Sequence, residues 1–287
     1  MDVAVVGAGK VGTALAVLWR RAGYEIVAVS GRTATQERAA RYLPGVPVLP
    51  HAEAADLAEL VLIAVPDDEV RDVCAEIATG LDARPGRLVA HTAGALALEV
   101  LDPVRITGAE RLCLHPLQTF PDVDAAIAAM PGATIAVTAD DEAAFETGES
   151  LVRDIGSNPV RLDEEHKALY HAAAVFASNY LVVMTALAED LFARAGLDDG
   201  LERFLPLSRA TLDNVAALGP QAALTGPVAR GDAGTVARNL EALAIAAPDA
   251  IPAYVVLARV ALDLAERGKR LGPQERGRVD EVLARWT

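Results

Sequence analysis

Three polar side chains share one face of a predicted helix that is otherwise apolar. At about 100° per residue, Lys167, His171 and Ser178 lie at about 0°, 40° and 20° around the helix axis, and Asn179 borders them near 120°. An ammonium, an imidazole and a hydroxyl buried without partners would cost about 1 to 3 kcal/mol each. The face therefore predicts either a catalytic cleft, in which Lys167 or His171 transfers a proton, or a hydrogen-bonded structural network between domains.

Two further histidines follow predicted strands. His91 ends one apolar run and precedes Thr92, and His115 follows the next such run. Because ligands of open α/β sheets bind beyond the carboxyl ends of the strands, we expect His115 or His91 to orient a reacting oxygen or nitrogen. Gln118, three residues after His115, is a candidate substrate-binding residue together with Ser178 and Asn179 on the helix. We expect His51 to lie in a surface loop.

The N-terminus contains a strand followed by a GxGxxG turn and a helix. Gly7 permits the tight turn, Gly9 lets the backbone approach a pyrophosphate, and Gly12 lets the helix pack closely on the strand. Lys10 and Val11 begin the helix, whose N-terminal N–H groups favour an anion. Because the strand, the helix and a second strand all stand in the right order, the sequence predicts a dinucleotide-binding site.

The end of the second predicted strand indicates which dinucleotide binds. NAD sites usually carry an acidic residue there, but this chain has Ser30, Arg32 and Thr33 and no acid between Glu25 and Glu37. Hydroxyls and a guanidinium suit a 2′-phosphate, which favours NADP; alternatively, Arg32 is only a solvated surface charge. Three further residues at strand ends are predicted to contact the cofactor: Val65, Pro66 and Thr92.

The first part of the chain alternates apolar runs with helical segments. Predicted strands cover 3–6, 26–30, 61–65, 88–91, 111–114 and 134–137, and predicted helices cover 12–22, 35–42 and 68–79. This alternation predicts an α/β fold, a doubly wound Rossmann domain with a mostly parallel sheet. After it the chain is almost entirely helical. We therefore predict a dinucleotide-binding domain over 1–160 and a helical substrate and dimerisation domain over 161–287.

Composition excludes several classes of function. The 287 residues include 26 Lys plus Arg and 40 Asp plus Glu, a formal charge of −14, without a basic cluster, so no nucleic acid is expected as a partner. With 52% hydrophobic residues the chain is not a disordered protein. The N-terminus has no basic region before its apolar run, so we expect a cytoplasmic protein without a secretory signal.

The stretch 168–188 contains no Asp, Glu, Lys or Arg and is long enough to span a bilayer. Its polar residues and acidic flanks, without aromatic and basic anchors at its ends, favour instead a buried helix, and no membrane contact is expected. Cys74 and Cys113 lack any CxxC or His/Cys ligand spacing, which predicts two buried thiols with neither a disulfide nor a metal site.

Several of these segments together resemble a known family. The chain resembles the 6-phosphogluconate dehydrogenase-like superfamily, and within it the two-domain proteins whose Rossmann-like N-terminal half precedes a helical domain of unknown function. The matching segments, in the family's order, are residues 7–12, 65–68, 91–96, 114–120, 170–180 and 224–232.

More distant members of the superfamily imply roles for particular residues. β-Hydroxyacid dehydrogenases and ketopantoate reductases carry a lysine followed four residues later by asparagine; Lys167 matches the lysine, and His171 replaces the asparagine. In prephenate and arogenate dehydrogenases a strand ends in His-Pro and the histidine bonds the reacting hydroxyl, which His115 and Pro116 resemble. Pyrroline-5-carboxylate reductases share the architecture and dimerise through the helical domain, although their substrate-binding helical signature is absent here. The resemblance thus implies a homodimer.

Residues and resemblance together predict an NADP(H)-dependent oxidoreductase that moves a hydride to or from a small polar carbonyl, hydroxyl or imine compound. Lys167 or His171 would deliver the proton, and Arg230 would bind an anionic group of the substrate. The alternative is a redox sensor or scaffold protein that binds NADP without turnover. A protein of that second class would bind the dinucleotide but would not oxidise NADPH with any substrate.

Overall fold

A seven-stranded sheet forms the centre of the N-terminal part of the molecule. The structure, a computed structural model, describes residues 1–84 and 86–287. In the described part the strands follow the spatial order β2-β1-β3-β4-β5-β6-β7. They are β1 (Asp2–Val6), β2 (Glu25–Ser30), β3 (Leu60–Ile63), β4 (Leu88–His91), β5 (Glu110–Pro116), β6 (Thr134–Ala139) and β7 (Asn158–Arg161). The predicted fold class, a mostly parallel sheet of the doubly wound Rossmann type, is confirmed.

Strand β7 and one strand direction differ from the predictions. β5 and β6 pair antiparallel, whereas β1 to β5 and β6 with β7 pair in parallel. No strand was predicted at β7, because this edge strand is largely exposed and contains Pro159. It therefore lacks the apolar pattern by which the other six strands were identified.

The parallel register places the ends of four strands at one edge of the sheet. Val6 pairs with Ile63, Ile63 with His91, and His91 with Cys113, in a row across β1, β3, β4 and β5. The residues that follow this row leave the sheet at its carboxyl edge, where α/β proteins bind ligands. The glycine turn, Thr92 and His115 all lie at this edge.

Helices cover both faces of the sheet. Those of the N-terminal part are α1 (Lys10–Arg21), α2 (Ala34–Tyr42), α3 (His51–Asp56), α4 (Val70–Gly80), α5 (Val123–Ala129), α6 (Glu142–Asp154) and α7 (Lys167–Ala177). The central strands β1, β3 and β4 are buried on both faces, as expected for parallel strands. On one face, Trp19 of α1 donates a hydrogen bond from Nε1 to the carbonyl oxygen of Leu151, 3.0 Å away, which fixes α1 against α6.

The C-terminal part is a helical unit with its own core. Its helices are α8 (Asn179–Arg194), α9 (Gly200–Leu218), α10 (Pro220–Ala223), α11 (Ala233–Ala246), α12 (Ile251–Arg267) and α13 (Pro273–Leu283). Leu240, Leu262 and Val279, from α11, α12 and α13, are fully buried together. Three helices therefore supply the centre of this core, and α8 supplies no buried residue.

The two compact units divide at a different place from the predicted boundary at 160/161. One unit is Met1–Asn179 and the other is Tyr180–Thr287. Helix α7 belongs to the first unit because the Lys167 side chain at its start is buried beside Cys113 of β5. The predicted continuous helix also ends early, since Ser178 has a non-helical backbone between α7 and α8.

The expectation of a buried helix over 168–188 does not hold within the single chain. In the described residues, Glu164–Arg194 is the one stretch with the length and composition of a membrane span, and its apolar window is exposed. Val182 and Val183 of α8 are 68% and 58% exposed. Sequence patterning alone indicated burial, but the described residues of this chain bury none of that window.

Candidate functional site

The glycine turn forms an open cradle at the end of β1. Gly7 has a φ of +88°, and a Cβ there would lie 2.6 Å from the carbonyl oxygen of Ala64. A Cβ on Gly12 would lie 2.6 Å from the carbonyl oxygen of Gly7, whereas one on Gly9 would meet only that oxygen, at 3.9 Å. Gly7 and Gly12 thus allow close packing and Gly9 faces open space. No side chain caps the start of α1, so the turn fits a pyrophosphate.

A cavity extends from this turn across the ends of β2 and β3. It is lined by Gly7, Ala8, Gly9, Gly31, Arg32, Thr35, Arg38, His51, Ala64, Val65, Pro66, Glu69 and Val73. Of the predicted cofactor-binding residues, Gly7, Gly9, Arg32, Val65 and Pro66 are therefore brought together. We refer to this space as the dinucleotide cavity.

The other predicted cofactor-binding residues do not line this cavity. Lys10 is exposed at the first position of α1, followed by Val11 and Gly12. Ser30 is buried, and its carbonyl oxygen accepts hydrogen bonds from the N–H groups of Gly7 and Ala8, both at 2.9 Å. Thr33 is exposed before α2 and Thr92 follows β4. Ser30 thus holds the shape of the turn through its backbone.

Sequence reasoning missed four polar side chains that line the dinucleotide cavity, Thr35, Arg38, His51 and Glu69. Glu69 forms an ion pair with Arg32, whose side chain is 79% exposed. Arg38 donates from Nε to the carbonyl oxygen of Ala8 at 2.8 Å. His51 was expected in a surface loop, but it begins α3, lines the cavity and lies 3.0 Å from Glu76. One feature of the sequence could have identified Arg38 as a cavity residue. It is a second arginine six residues after Arg32, on the helix α2 that follows strand β2.

A second cavity, of about 640 Å³, lies beyond the end of β5. Its lining includes five predicted site residues: His115, Gln118, His171, Ser178 and Asn179. It also includes Tyr170 and Thr119, which the sequence did not single out. We call it the polar cavity, because imidazole, phenol, amide and hydroxyl groups alternate with small apolar side chains around it.

His115 is the centre of the polar cavity. Its Nδ1 lies 3.0 Å from the hydroxyl oxygen of Tyr170, and its ring meets that of His171 edge-on at 6.2 Å. On the other side the ring packs against Gly94, where a Cβ would lie 2.6 Å from Nε2. A glycine after β4 is therefore required to leave room for the His115 ring.

Lys167 and His91 lie together in the interior and do not line the polar cavity. Lys167 is 1% exposed, and its Nζ donates a hydrogen bond to Cys113 Sγ at 3.0 Å. His91 is fully buried, and its Nδ1 accepts the N–H of Ala93 at 3.1 Å. Its Nε2 has no hydrogen-bond partner among the described residues. The helical face seen in the sequence is thus split: His171 and Ser178 line the cavity, and Lys167 points inward.

Burial and the Lys167 charge keep the two strand-end histidines neutral. Burial, followed by repulsion from Lys167 and from His115, lowers the pKa of His91 to about 3. Burial, followed by Lys167 and His171, lowers the pKa of His115 to about 4. Burial also raises the pKa of Tyr170 to about 12, so its hydroxyl keeps its proton at neutral pH. The cavity therefore presents uncharged groups that donate or accept hydrogen bonds.

Arg230 lies in the helical unit, in the short 3-10 turn Val228–Arg230, and is exposed. Its role in substrate binding stays a prediction. No cluster of metal ligands occurs within residues 1–84 and 86–287.

Two family models match the chain. Residues 1–116 match the Rossmann-like domain, and residues 133–261 match DUF2520, a domain of unknown function. The chain thus carries a Rossmann-like N-terminal domain followed by a DUF2520 domain, which confirms the predicted combination of a Rossmann-like half and a helical domain of unknown function.

Solved structures share this architecture. A Bacteroides fragilis protein, BF3122, named as a candidate NADP oxidoreductase, is 26% identical with a TM-score of 0.74, over 91% of this chain and 98% of that one. Plasmodium falciparum pyrroline carboxylate reductase, with NADP bound, is 13% identical with a TM-score of 0.59, over 97% of this chain and 98% of that one.

A curated relative resembles part of the chain. Glycerol-3-phosphate dehydrogenase of Desulfitobacterium hafniense, which uses NAD(P)+, is 41% identical over 107 residues, 33% of this chain. The chain spans 30% of the length of that enzyme. By name, these three proteins are an NADP oxidoreductase, a reductase with NADP bound and an NAD(P)+ dehydrogenase.

The Arg32–Glu69 pair leads to a prediction about cofactor affinity. Arg32→Ala should weaken NADP binding by about 10- to 100-fold and leave NAD binding nearly unchanged, because charge-assisted hydrogen bonds to a 2′-phosphate contribute about 1.5 to 3 kcal/mol. Glu69→Gln should strengthen NADP binding, because it removes the competing carboxylate. Titration calorimetry with both dinucleotides measures these effects.

Arg41→Ala is the matched control, since Arg41 is an exposed arginine of α2, the helix that follows Arg32, and pairs with Asp124 at 2.9 Å. It should behave as the unmodified protein does. Equal affinity of the unmodified protein for NAD and NADP would show that Arg32 does not contact the cofactor.

A second prediction concerns the contact between Gly94 and His115. Gly94→Ala should push the imidazole out of its buried position and break its bond to Tyr170. The His115 pKa should then rise from about 4 toward the ordinary value near 6.5, because burial is the main cause of the depression. NMR titration of the imidazole signals, assigned with His115→Gln, measures this shift. Gly277→Ala, where a Cβ meets nothing within 4 Å, should leave the pKa unchanged.

Proposed function

We propose that this protein is an NADP(H)-dependent oxidoreductase that transfers a hydride to or from a small polar carbonyl, hydroxyl or imine compound. The observation that carries the proposal is that the glycine turn and the polar cavity lie at the same carboxyl edge of one parallel sheet. A dinucleotide held at the turn extends along this edge in doubly wound folds. The names of the similar proteins support the same class of reaction.

The residues that would hold the cofactor lie at the glycine turn and in the dinucleotide cavity. The N–H groups at the start of α1 would hold the pyrophosphate, and Arg32 would bind the 2′-phosphate after exchanging its Glu69 partner. NADPH, when bound, supplies the hydride. The buried Nε2–H of His91, which has no partner among the described residues, is available to a polar group of a ligand at this edge.

We assign the proton transfer to the groups that line the polar cavity. Tyr170 keeps its proton at neutral pH and is held by His115, so its hydroxyl can donate to an oxygen or nitrogen that gains negative charge. His171 lines the same cavity and can exchange protons with solvent. Gln118, Ser178 and Asn179 supply further hydrogen bonds to a polar substrate. Of the four predicted catalytic residues, His115 and His171 are thus in reach of a substrate.

Lys167 acts differently in this proposal. It is buried against Cys113 and forms no ion pair within the described parts of the chain, so its ammonium acts through its field. The field favours negative charge on a reacting oxygen and adds to burial in lowering the pKa of His115. Lys167 is therefore a positioning residue, and His91 supports it from β4.

The proposal predicts NADPH oxidation that depends on Tyr170. With a panel of small keto acids, aldehydes and imines, we expect turnover with at least one class, measured as loss of NADPH absorbance. Tyr170→Phe should lower kcat by about 100-fold or more, because general acid catalysis contributes 10²- to 10⁴-fold, and should leave NADP affinity unchanged.

Tyr254→Phe is the control, since Tyr254 also holds a side-chain hydrogen bond, to Asn239 at 3.1 Å, but belongs to the helical unit. It should retain full turnover. Tight NADP binding without NADPH oxidation by any member of the panel would contradict an enzyme and favour a non-catalytic sensor.

We propose further that the protein is a cytoplasmic homodimer formed through its C-terminal helices. The helical unit exposes many apolar side chains: Val182, Val183, Leu207, Ile245, Val256 and Val260. Monomeric soluble proteins rarely expose so much apolar surface in one region. Acidic and basic residues flank the apolar helix at Glu164 and Arg194, and a second copy would cover the helix without lipid.

The dimer is tested by sedimentation at micromolar concentration. The unmodified protein should sediment as a dimer, and Val183→Asp should shift it to a monomer because a charge would have to be buried at the interface. Ile106→Asp, at an 88% exposed apolar residue of the N-terminal unit, should leave the dimer intact. A monomeric unmodified protein would contradict the proposal.

A further inference from the structure

Lys167 and Cys113 form a buried pair whose chemistry the proposed hydride transfer does not use. The two reactive atoms, Nζ and Sγ, are 3.0 Å apart. Both residues are buried, at 1% and 0% exposure, and Sγ also lies 3.4 Å from the carbonyl oxygen of Ala93. A primary amine is thus held at contact distance from a thiol, on elements that fix both ends: strand β5 and the first residue of helix α7.

We propose that this pair is a site of reversible oxidation, at which hydrogen peroxide joins Lys167 Nζ to Cys113 Sγ through a sulfur–nitrogen bond. A sulfenic acid condenses with a thiol to a disulfide, or with a backbone nitrogen to a sulfenamide. Here the nearby nitrogen is the lysine amine. This proposal does not depend on the function proposed above, because its test measures the mass of the oxidised protein and not an enzymatic activity.

The reaction balances in two steps. The Cys113 sulfur takes one oxygen from peroxide and becomes a sulfenic acid, while peroxide is reduced to water. The hydroxide that peroxide releases takes a proton from the Lys167 ammonium and becomes that water. The neutral amine then attacks the sulfenyl sulfur, the S–O bond breaks, and the hydroxyl leaves as water with a second proton from nitrogen. Overall, the thiol, the amine and one peroxide give the sulfenamide and two waters. Two equivalents of a small thiol reverse the reaction, restoring thiol and amine and forming a disulfide of the reductant.

The neighbourhood of Cys113 favours this outcome over further oxidation. Sulfenic acids that meet no partner are oxidised on to sulfinic acids. Cys113 has the amine in contact and lies in a closed interior, so condensation competes with the arrival of a second peroxide. Burial raises the pKa of the Cys113 thiol, but the Lys167 ammonium opposes that rise and favours the thiolate, which is the form that attacks peroxide.

Cys74 provides an internal comparison. It is equally buried, at 0% exposure, in α4, and burial raises its pKa to about 11. No lysine amine contacts it in the described structure. Access for a small oxidant is therefore comparable at the two thiols, and only Cys113 has a nitrogen with which to condense.

The bond would remove the buried ammonium from the sheet edge and tie α7 covalently to β5. The positive charge that, after burial, lowers the pKa of His91 and of His115 would disappear with it. Oxidation would thus change the electrostatics of the polar cavity without touching its lining residues.

Mass spectrometry of the folded, full-length protein tests the proposal. After treatment with dilute hydrogen peroxide, we expect a species lighter than the untreated protein by about 2 Da, the mass of two hydrogen atoms, that reverts with dithiothreitol. Trypsin should fail to cut after Lys167, so the peptides 112–153 and 162–194 should appear joined. The cross-link should be absent when peroxide is added to the protein unfolded in guanidinium.

Two variants separate the pair from general oxidation. Cys74→Ser should still form the cross-link, whereas Lys167→Met should accumulate sulfenic or sulfinic acid at Cys113 instead. Circular dichroism checks that both variants are folded. Sulfinic acid at Cys113 with a free Lys167 in the unmodified protein would overturn the proposal, and so would a joined pair about 14 Da heavier, which contains an inserted oxygen.

Discussion

The parallel pairing of β1, β3, β4 and β5 is the constraint on which the functional region depends. Because the strands run in one direction and in register, Val6, Ile63, His91 and Cys113 form a row. The residues beyond the row must emerge on one side of the sheet. A glycine turn after β1 and a histidine near the end of β5, 108 positions apart in the chain, thereby share one edge.

A single buried ammonium, that of Lys167, affects the protonation of the histidines at that edge. Lys167 enters the interior from the first turn of α7, and its partner there is a sulfur atom, which compensates a positive charge less well than a carboxylate does. The uncompensated charge acts on its surroundings: together with burial it keeps His91 and His115 neutral. Burial also raises the pKa of Tyr170, so its hydroxyl retains its proton. A cavity of neutral donors beside a buried cation is suited to a substrate that gains negative charge.

The dinucleotide cavity and the helical unit each contain an interaction that is incomplete in the isolated chain. Arg32 is paired with Glu69, so a phosphate must compete for the guanidinium, and selectivity for NADP becomes a balance between two anions. Helix α8 contributes no buried residue although its sequence is strongly apolar. The proposed function would supply both missing contacts, a phosphate at Arg32 and a second copy of the chain at α8.

The sequence by itself determined the fold class and the dinucleotide turn, because these depend on local periodicity and on steric requirements at single residues. Gly7 and Gly12 stand where a Cβ would collide with the backbone, and the positions of His91 and His115 follow from apolar runs that end beside them. Strand β7 was not predicted from the sequence, because an exposed edge strand with a proline has no such pattern.

Only the tertiary structure decided which polar groups meet. The contacts of Lys167 with Cys113, of Tyr170 with His115 and of Glu69 with Arg32 join residues 54, 55 and 37 positions apart. Helical spacing placed Lys167 on the same face as His171, but the Lys167 side chain lies in the interior and His171 lines the cavity. Such separations are set by how α7 packs on β5, and no local pattern encodes them.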